Sequence, residues 1–362
     1  MIIKSISLQD FRNYESLELT FDKKNNIIFG DNAQGKTNLL EACFVSGTSR
    51  SFRNCHDSEM IRFGMDEAHI KTIVEKNGRD VRIDIHLKKN KKKGIAVNRV
   101  PLKRASDLFG ILNIILFSPD DLEIIKQGPQ ERRRFLDTEL CQIDKIYLSD
   151  LSQYKKALMN RNQLLKDIYN EPSLRDTLPV WNEKVAEYGK KVIRRREAFV
   201  LDLAPIVKDI HKNLSGGREE PVVTYSPDVT AEAISDVLEK NTERDLRAGT
   251  TTAGPHRDDI IFEIDGKDIR TFGSEGQKRT CALSLKLSEI KMIENSIHQE
   301  PVLLLDDVLS ELDRNRQKML LSSLNDVQTI VTCTGIDDFI KERMSIDRIF
   351  EVKAGKVNCE EI

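Results

Sequence analysis

The octapeptide Gly30-Asp31-Asn32-Ala33-Gln34-Gly35-Lys36-Thr37 directly follows the apolar run Ile27-Ile28-Phe29 and leads into Lys36-Thr37-Asn38-Leu39-Leu40-Glu41-Ala42-Cys43-Phe44. A buried strand, a glycine-rich loop and a helix start, in that order, form the setting in which a GxxxxGK[ST] pattern cradles phosphates. Gly30 and Gly35 let backbone N–H groups converge without an intervening Cβ, and the helix N-terminus adds its positive end. Lys36 suits the β and γ phosphates, and Thr37 offers a hydroxyl to Mg²⁺. With Asn32 and Asn38 in the same cradle, the stretch points to an α/β nucleotide-binding fold with ATP and Mg²⁺ as cofactors.

Two downstream stretches extend this expectation. Val302-Leu303-Leu304-Leu305-Asp306-Asp307 reads as a buried parallel strand that delivers Asp306 to Mg²⁺ and Asp307 to an attacking water, followed by Ser310-Glu311-Leu312-Asp313. In Phe272-Gly273-Ser274-Glu275-Gly276-Gln277-Lys278-Arg279, Ser274 is placed to cap a long apolar-faced helix whose free N–H groups favour a phosphate. Leu214-Ser215-Gly216-Gly217 spells a similar motif. It lies far upstream of the acidic strand, lacks an apolar helix after it, and reads as a glycine helix cap. Thr332 to Thr334, ending the strand that starts at Thr329, is a candidate γ-phosphate sensor position.

Of 362 residues, 57 are basic and 59 acidic, so a polyanion must be met by a local patch and not by overall charge. Six cysteines without a CxxC pair fit a reducing, cytoplasmic setting, and no run approaches a membrane span. The chain divides into 1–128, a head lobe with the phosphate loop and antiparallel strands; 129–215, an inserted helical arm; and 216–362, the rest of the head. Ile2 to Leu8 and Leu17 to Phe21 read as hairpin partners beside the phosphate-loop strand. His69 and His86, within alternating strands 68–75 and 80–88, have no spaced partners and are not marked as metal ligands. In the arm, Gln130 to Ile168 holds neither glycine nor proline and keeps helical spacing, and Trp181 to Ile206 keeps helical spacing too. Two helices of 30 to 40 residues, turning at Asn170-Glu171-Pro172 and Pro179, make an antiparallel arm. Candidate nucleic-acid contacts are Arg50 and Arg53 in a polar loop, Lys91, Lys92 and Lys93 at a hairpin tip, and Arg132, Arg133, Arg194 and Arg195 at the base of the arm. His256, Arg257 and Asp258 lack both ligand spacing and a partnering nucleophile.

Taken together, the phosphate loop, Ser274 to Gln277, the Asp306-Asp307 strand and Ser310 to Asp313 resemble the ATP-binding head of the ABC and SMC superclass. The stretches Leu8 to Tyr14, Phe117-Ser118-Pro119, Arg132 to Asp137 and Gly254 to Asp259 are similar to those of the RecF family of bacterial DNA replication and repair proteins, and the likeness spans essentially the whole chain. The resemblance implies an SMC-like head with a short arm that dimerises with ATP on gapped or single-strand/double-strand junction DNA. It also implies help in loading recombinase with RecR- and RecO-type mediators. Lys36 and Thr37 then hold phosphates and Mg²⁺, Asp306 is the Mg²⁺ aspartate, and Ser274, Gly276 and Gln277 read the ATP of a second subunit. Asp307 stands where transporter relatives carry a catalytic glutamate. The usual glutamine after Phe117 and the histidine of transporter ATPases are absent, which with the inserted arm disfavours a transporter subunit. The remaining alternative is a DNA-binding or structural module that nucleotide stabilises without hydrolysis.

Overall fold

The computed structural model describes residues 1–53, 55–322, 324, 327–335 and 345–360. The chain forms two compact units, Met1–Asp121 with Glu289–Ile362, and Leu122–Ser288.

The first unit contains two six-stranded sheets. One runs in the order Lys356–Glu360, Arg348–Lys353, Asn25–Phe29, Thr329–Cys333, Val302–Asp306, Ile114–Phe117, parallel throughout except for the terminal hairpin. Its central strands Val302–Asp306 and Thr329–Cys333 are buried at every position, as continuous apolar runs covered on both faces must be. The other sheet is antiparallel, in the order Tyr14–Thr20, Ile2–Phe11, Glu67–Lys76, Arg79–Lys88, Gly94–Val97, Val100–Pro101. Here alternation holds: Ala68, Ile70, Thr72 and Val74 face inward while Glu67, His69 and Lys71 face outward. The first hairpin therefore does not lie beside the phosphate-loop strand, as its closeness in sequence suggests. Both edges of Asn25–Phe29 are occupied by parallel strands, which leaves no edge for it.

Between the sheets lies the helix Lys36–Thr48, buried nearly all round. Leu39, Leu40, Ala42, Cys43 and Val45 share one apolar cluster with Ile6, Ile70 and Ile85 of the antiparallel sheet and Ile28, Leu304 and Ile330 of the parallel sheet. A Cβ on Gly47 would stand 2.9 Å from the Leu112 carbonyl oxygen, so the helix seats closely there because that position is glycine. The buried Gln328 side chain links the sheets in the manner of a strand neighbour. It accepts from the Ile3 N–H (2.6 Å) and donates to the Ile3 and Asp22 carbonyls (2.8 and 2.7 Å).

The second unit is built on the helices Pro129–Ile143, Lys145–Asn170 and Leu178–Ser215 and on a three-stranded sheet, Lys267–Asp268, Asp259–Ile264, Pro221–Ser226. The two long helices pack together, and at 1.5 Å per residue they are about 39 and 57 Å long. The first helical stretch is not continuous. It breaks at Asp144, whose backbone leaves helical geometry and whose side chain caps the next helix by accepting from the Ile146 and Tyr147 N–H groups. Gly216 and Gly217, both at positive φ, end the second long helix, which confirms Leu214 to Gly217 as a cap. Ile269 and Arg270 belong to a helical turn capped by Asp268 instead of extending the preceding strand.

Each arginine run sends one side chain, Arg132 or Arg196, into this unit's interior. Arg196 donates to the Tyr147 hydroxyl (3.0 Å), the Pro255 carbonyl (2.6 Å), Asp258 (2.9 Å) and Asp137 (2.8 Å). Arg132, its side chain 4% exposed, grips Asp259 through two bonds of 2.6 and 2.9 Å. Arg133 donates to the Asp258 carbonyl, Arg194 pairs with Glu232 at the surface, and Arg195 pairs with Asp144. Farther along the arm, Arg161 and Asp245, both wholly buried, pair at 2.7 Å, and Asn182 and Thr251 satisfy further bonds. His256 fits as a neutral ring: Nε2 faces the Thr251 carbonyl at 3.1 Å, leaving Nδ1 to accept from the Tyr154 hydroxyl at 2.6 Å.

Breaking a buried pair leaves an uncompensated charge, so Asp245→Ala is expected to cost about 3–5 kcal/mol in urea unfolding of the second unit. Arg161→Met with Asp245→Leu, which removes both charges, should lose much less. Burial also lowers the His256 pKa below its ordinary 6.5, so the unfolded chain binds more protons and stability falls as pH drops below about 6.5. His256→Asn should flatten that part of the melting-temperature profile.

Candidate functional site

The phosphate loop leaves the strand Asn25–Phe29 at Gly30 (φ 150°) and enters the helix at Gly35 (φ 118°), with Ala33 also at positive φ. A Cβ on Gly30 would stand 2.4 Å from the Val352 carbonyl oxygen, and one on Gly35 would meet the Asn13 amide at 2.5 Å. Both positions therefore require glycine for space as well as for backbone freedom. The Lys36 ammonium folds back on the loop, donating to the Gly30 and Asp31 carbonyls at 2.7 and 3.0 Å.

At the end of the adjacent parallel strands, the Thr37 hydroxyl donates to Asp306 Oδ1 at 2.8 Å. Thr332 Oγ1 lies 2.9 Å from the same oxygen and accepts from the Asp307 N–H at 3.0 Å. Two of the three expected elements thus converge within one unit: the loop with Lys36 and Thr37, and the strand with Asp306 and Asp307. Burial raises the Asp306 pKa, and the Thr37 and Thr332 hydroxyls oppose that rise. A buried carboxylate beside a threonine hydroxyl is a hard-oxygen donor set that fits Mg²⁺. Asp307, half-buried, stands at φ 52°, and its carbonyl accepts from Ser310. Asp313 caps the following helix by accepting from the Asn315 and Arg316 N–H groups.

Ser274, Gly276 and Gln277 belong to the second unit. There Ser274 and Gln277 form a reciprocal cap. The Ser274 N–H donates to Gln277 Oε1 (2.9 Å) and the Gln277 N–H to Ser274 Oγ (3.3 Å), at the exposed start of the helix Glu275–Ile297. Phe272, just before it, is 71% exposed.

Among the nucleic-acid candidates, Arg50, Lys91, Lys92 and Arg194 are exposed. Arg53 is exposed but lies over the phosphate-loop helix, donating to Asn38 Oδ1 at 2.8 Å and approaching Glu41 at 3.6 Å. Lys93 turns inward to Asp57 at 2.8 Å and to the Ser49 carbonyl. Arg132 is a correction, because its buried pairing with Asp259 removes it as a phosphate contact.

The supports of the loop were not apparent as functional residues. Arg12 clamps the wholly buried Glu41 through two bonds of 2.8 and 2.6 Å, and Ser51 donates to the same carboxylate. Asn13 donates to the Gln34 carbonyl (2.9 Å) and accepts from Asn38 (2.8 Å), while the Tyr14 hydroxyl donates to the Gly35 carbonyl (2.9 Å). From the C-terminal hairpin, Ala354 and Gly355 donate N–H groups to the side chain and carbonyl of Gln34. A signal existed: Glu41 is a lone charge inside an otherwise uncharged run, and such a group needs a partner.

The family described as RecF/RecN/SMC N terminal domain matches residues 2–358. A protein of Agathobacter rectalis described as DNA replication and repair protein RecF is 60% identical over 357 residues, covering 99% of both chains. The chain belongs to the RecF family. A RecF of Lachnospira eligens is 54% identical over 359 residues, again covering 99% of each chain. The solved structure of the recombination mediator protein RecF with ATP, in the RecFOR pathway, superposes with a TM-score of 0.93 at 37% identity, covering 99% of this chain and 97% of that one. An Smc head from Pyrococcus furiosus, with an extended coiled coil, shares the fold alone, with a TM-score of 0.59 at 18% identity over 99% of this chain and 96% of that one. The α/β head with an inserted helical region is therefore the RecF and SMC fold. Among the described residues no helix is long and apolar enough to cross a membrane.

Removing the Arg12 guanidinium strands a buried carboxylate, so Arg12→Leu is expected to destabilise the first unit by about 3 kcal/mol, read from urea unfolding. Arg12→Leu with Glu41→Leu should recover most of that loss.

Proposed function

We propose that the protein is an ATP-dependent DNA-binding protein of recombinational repair and replication, in which ATP drives dimerisation on gapped or junction DNA. The observation that carries this reading is the 2.8 Å contact of Thr37 with Asp306, which joins the phosphate loop to the acidic strand in a chain of the RecF family. Family membership supports ATPase activity, and the relative whose structure is described with ATP supports that nucleotide.

In this reading the N–H groups of the Gly30–Thr37 loop and the helix N-terminus hold the phosphates, and Lys36 exchanges its two loop carbonyls for phosphate oxygens. Thr37 and Asp306 would hold Mg²⁺, which supplies neutralisation of phosphate charge. Asp307 orients or deprotonates the attacking water, and as a short carboxylate it supports a weak, DNA-stimulated rate. Ser274, Gly276 and Gln277 complete the site from a second copy, so hydrolysis belongs to the dimer. Exposed Arg50, Lys91, Lys92 and Arg194 serve as phosphate-backbone contacts. RecR- and RecO-type mediators are the partners expected, with recombinase loading as the outcome.

The composite site is tested by mixing Lys36→Ala and Ser274→Arg chains, each inactive alone. Random pairing makes half of the dimers mixed, each with one intact site, so about a quarter of wild-type ATPase should return. No recovery despite demonstrated mixed dimers would overturn sharing of the site. Sedimentation of the wild type at saturating ATP should show a dimer. A persistent monomer that binds the nucleotide would favour the non-hydrolysing module instead.

A further inference from the structure

The antiparallel sheet of the first unit brings together three side chains that lie far from the phosphate loop in both sequence and role. In the register of Glu67–Lys76 with Arg79–Lys88, His69 stands opposite His86 and Glu67 opposite Lys88. Because side chains alternate along a strand, all four project from the outer face. The two imidazoles stack with centroids 3.8 Å apart and planes 23° from parallel. Glu67, His69 and His86 each offer one ligand atom, and the three atoms lie within 4.8 Å of one another. On either side of the pair along this row stand Gln9 and Gly94, and the glycine leaves the flank of His86 open.

We propose that Glu67, His69 and His86 form a divalent-metal site on the outer face of this sheet, one that takes Zn²⁺ and keeps a fourth position for water or an outside donor. Two imidazoles and one carboxylate select zinc and its neighbours over Mg²⁺, which prefers oxygen donors and near-octahedral geometry. Zinc binds such nitrogen and oxygen ligands at about 2.0–2.2 Å, so tetrahedral ligand atoms stand about 3.3 Å apart. Closing the cluster to that spacing requires the two rings to leave their stack and turn their in-plane lone pairs toward one point, a rotamer change open to exposed or half-buried side chains. A cation already occupies the carboxylate: Lys88 Nζ lies 3.0 Å from Glu67 Oε2, the same oxygen that His86 Nε2 contacts. The metal replaces the ammonium and the imidazole proton at this oxygen. It ties the two strands together at the open end of their hairpin, with no step of nucleotide chemistry involved. Strand spacing hid the cluster, because the ligands come from two strands 17 and 19 residues apart and only the hairpin register aligns them.

The test uses the full-length protein, stripped with chelator and titrated with ZnCl₂ in excess MgCl₂ by calorimetry, with CoCl₂ as a spectroscopic substitute. One Zn²⁺ per chain is expected. The double variant His69→Ala with His86→Ala should lose at least about tenfold in affinity, and Glu67→Gln should weaken binding by a smaller factor. Lys88→Gln should tighten it several-fold, which a merely structural histidine stack does not foresee. Bound Co²⁺ should show visible bands without the near-ultraviolet thiolate band that the exposed Cys359 would give. Far-ultraviolet dichroism confirms that each variant is folded. The proposal is overturned if the folded wild type binds no Zn²⁺, if the double variant binds as tightly as the wild type, or if the thiolate band appears.

Discussion

The Glu41 carboxylate has no access to water, and it sits in the middle of the helix that the two sheets of the first unit enclose. A buried ion in that position is tolerated only with a partner in hydrogen-bonding geometry. Arg12 is that partner, a bidentate guanidinium from the turn of the first hairpin. The turn then continues into Asn13 and Tyr14, whose side chains hold Gln34, Asn38 and Gly35. One charge pair therefore fixes the hairpin, the helix and the phosphate loop in a common frame. The antiparallel sheet acts as the outer buttress of the nucleotide loop, and the C-terminal hairpin closes the frame through Gln34.

The candidate site residues were legible because the chemistry they suit is written in short patterns. A glycine loop between an apolar run and a helix, and two aspartates after four apolar residues, carry their meaning within about ten residues each. The frame was illegible for the opposite reason, since Arg12 and Glu41 are 29 residues apart and Gln34 meets Ala354 across 320. The sheet that takes the first hairpin was misjudged on similar grounds. Adjacency in sequence favours pairing, yet the edges of Asn25–Phe29 are claimed by strands more than 300 residues downstream. The break at Asp144 was masked because the apolar stripe passes through it unchanged, while the cap acts on the backbone alone.

The arginine runs show how charge misleads when it is read without periodicity. Arg196 lies four residues after Val192 and three before Phe199, on the stripe that the helix buries. Arg132 holds the equivalent place four residues before Leu136. Helix geometry puts these two guanidiniums inside whatever their charge, and Asp137, Asp258 and Asp259 are the groups that make burial tolerable. Their neighbours Arg194 and Arg133 fall off the stripe and keep more water. In each run the helical position, more than the residue type, decides between a structural and a surface arginine. The Gly254 to Asp259 motif acquires a role by the same reasoning, because it supplies the carboxylates that hold the base of the arm together.

Asp307 suits its place for a backbone reason. This residue stands at φ 52° and ψ 15°, a left-handed conformation that aspartate adopts more readily than longer side chains do. The conformation turns the chain from the strand Val302–Asp306 into the helical turn Val308–Glu311 and aims the Asp307 N–H at Thr332. Thr332 in turn lies against Asp306, so the two aspartates are tied through one hydroxyl at the end of the neighbouring strand. A threonine hydroxyl serves here as the polar anchor. A short carboxylate thus stands on a fixed turn whose backbone is joined, through one hydroxyl, to the carboxylate of the residue before it.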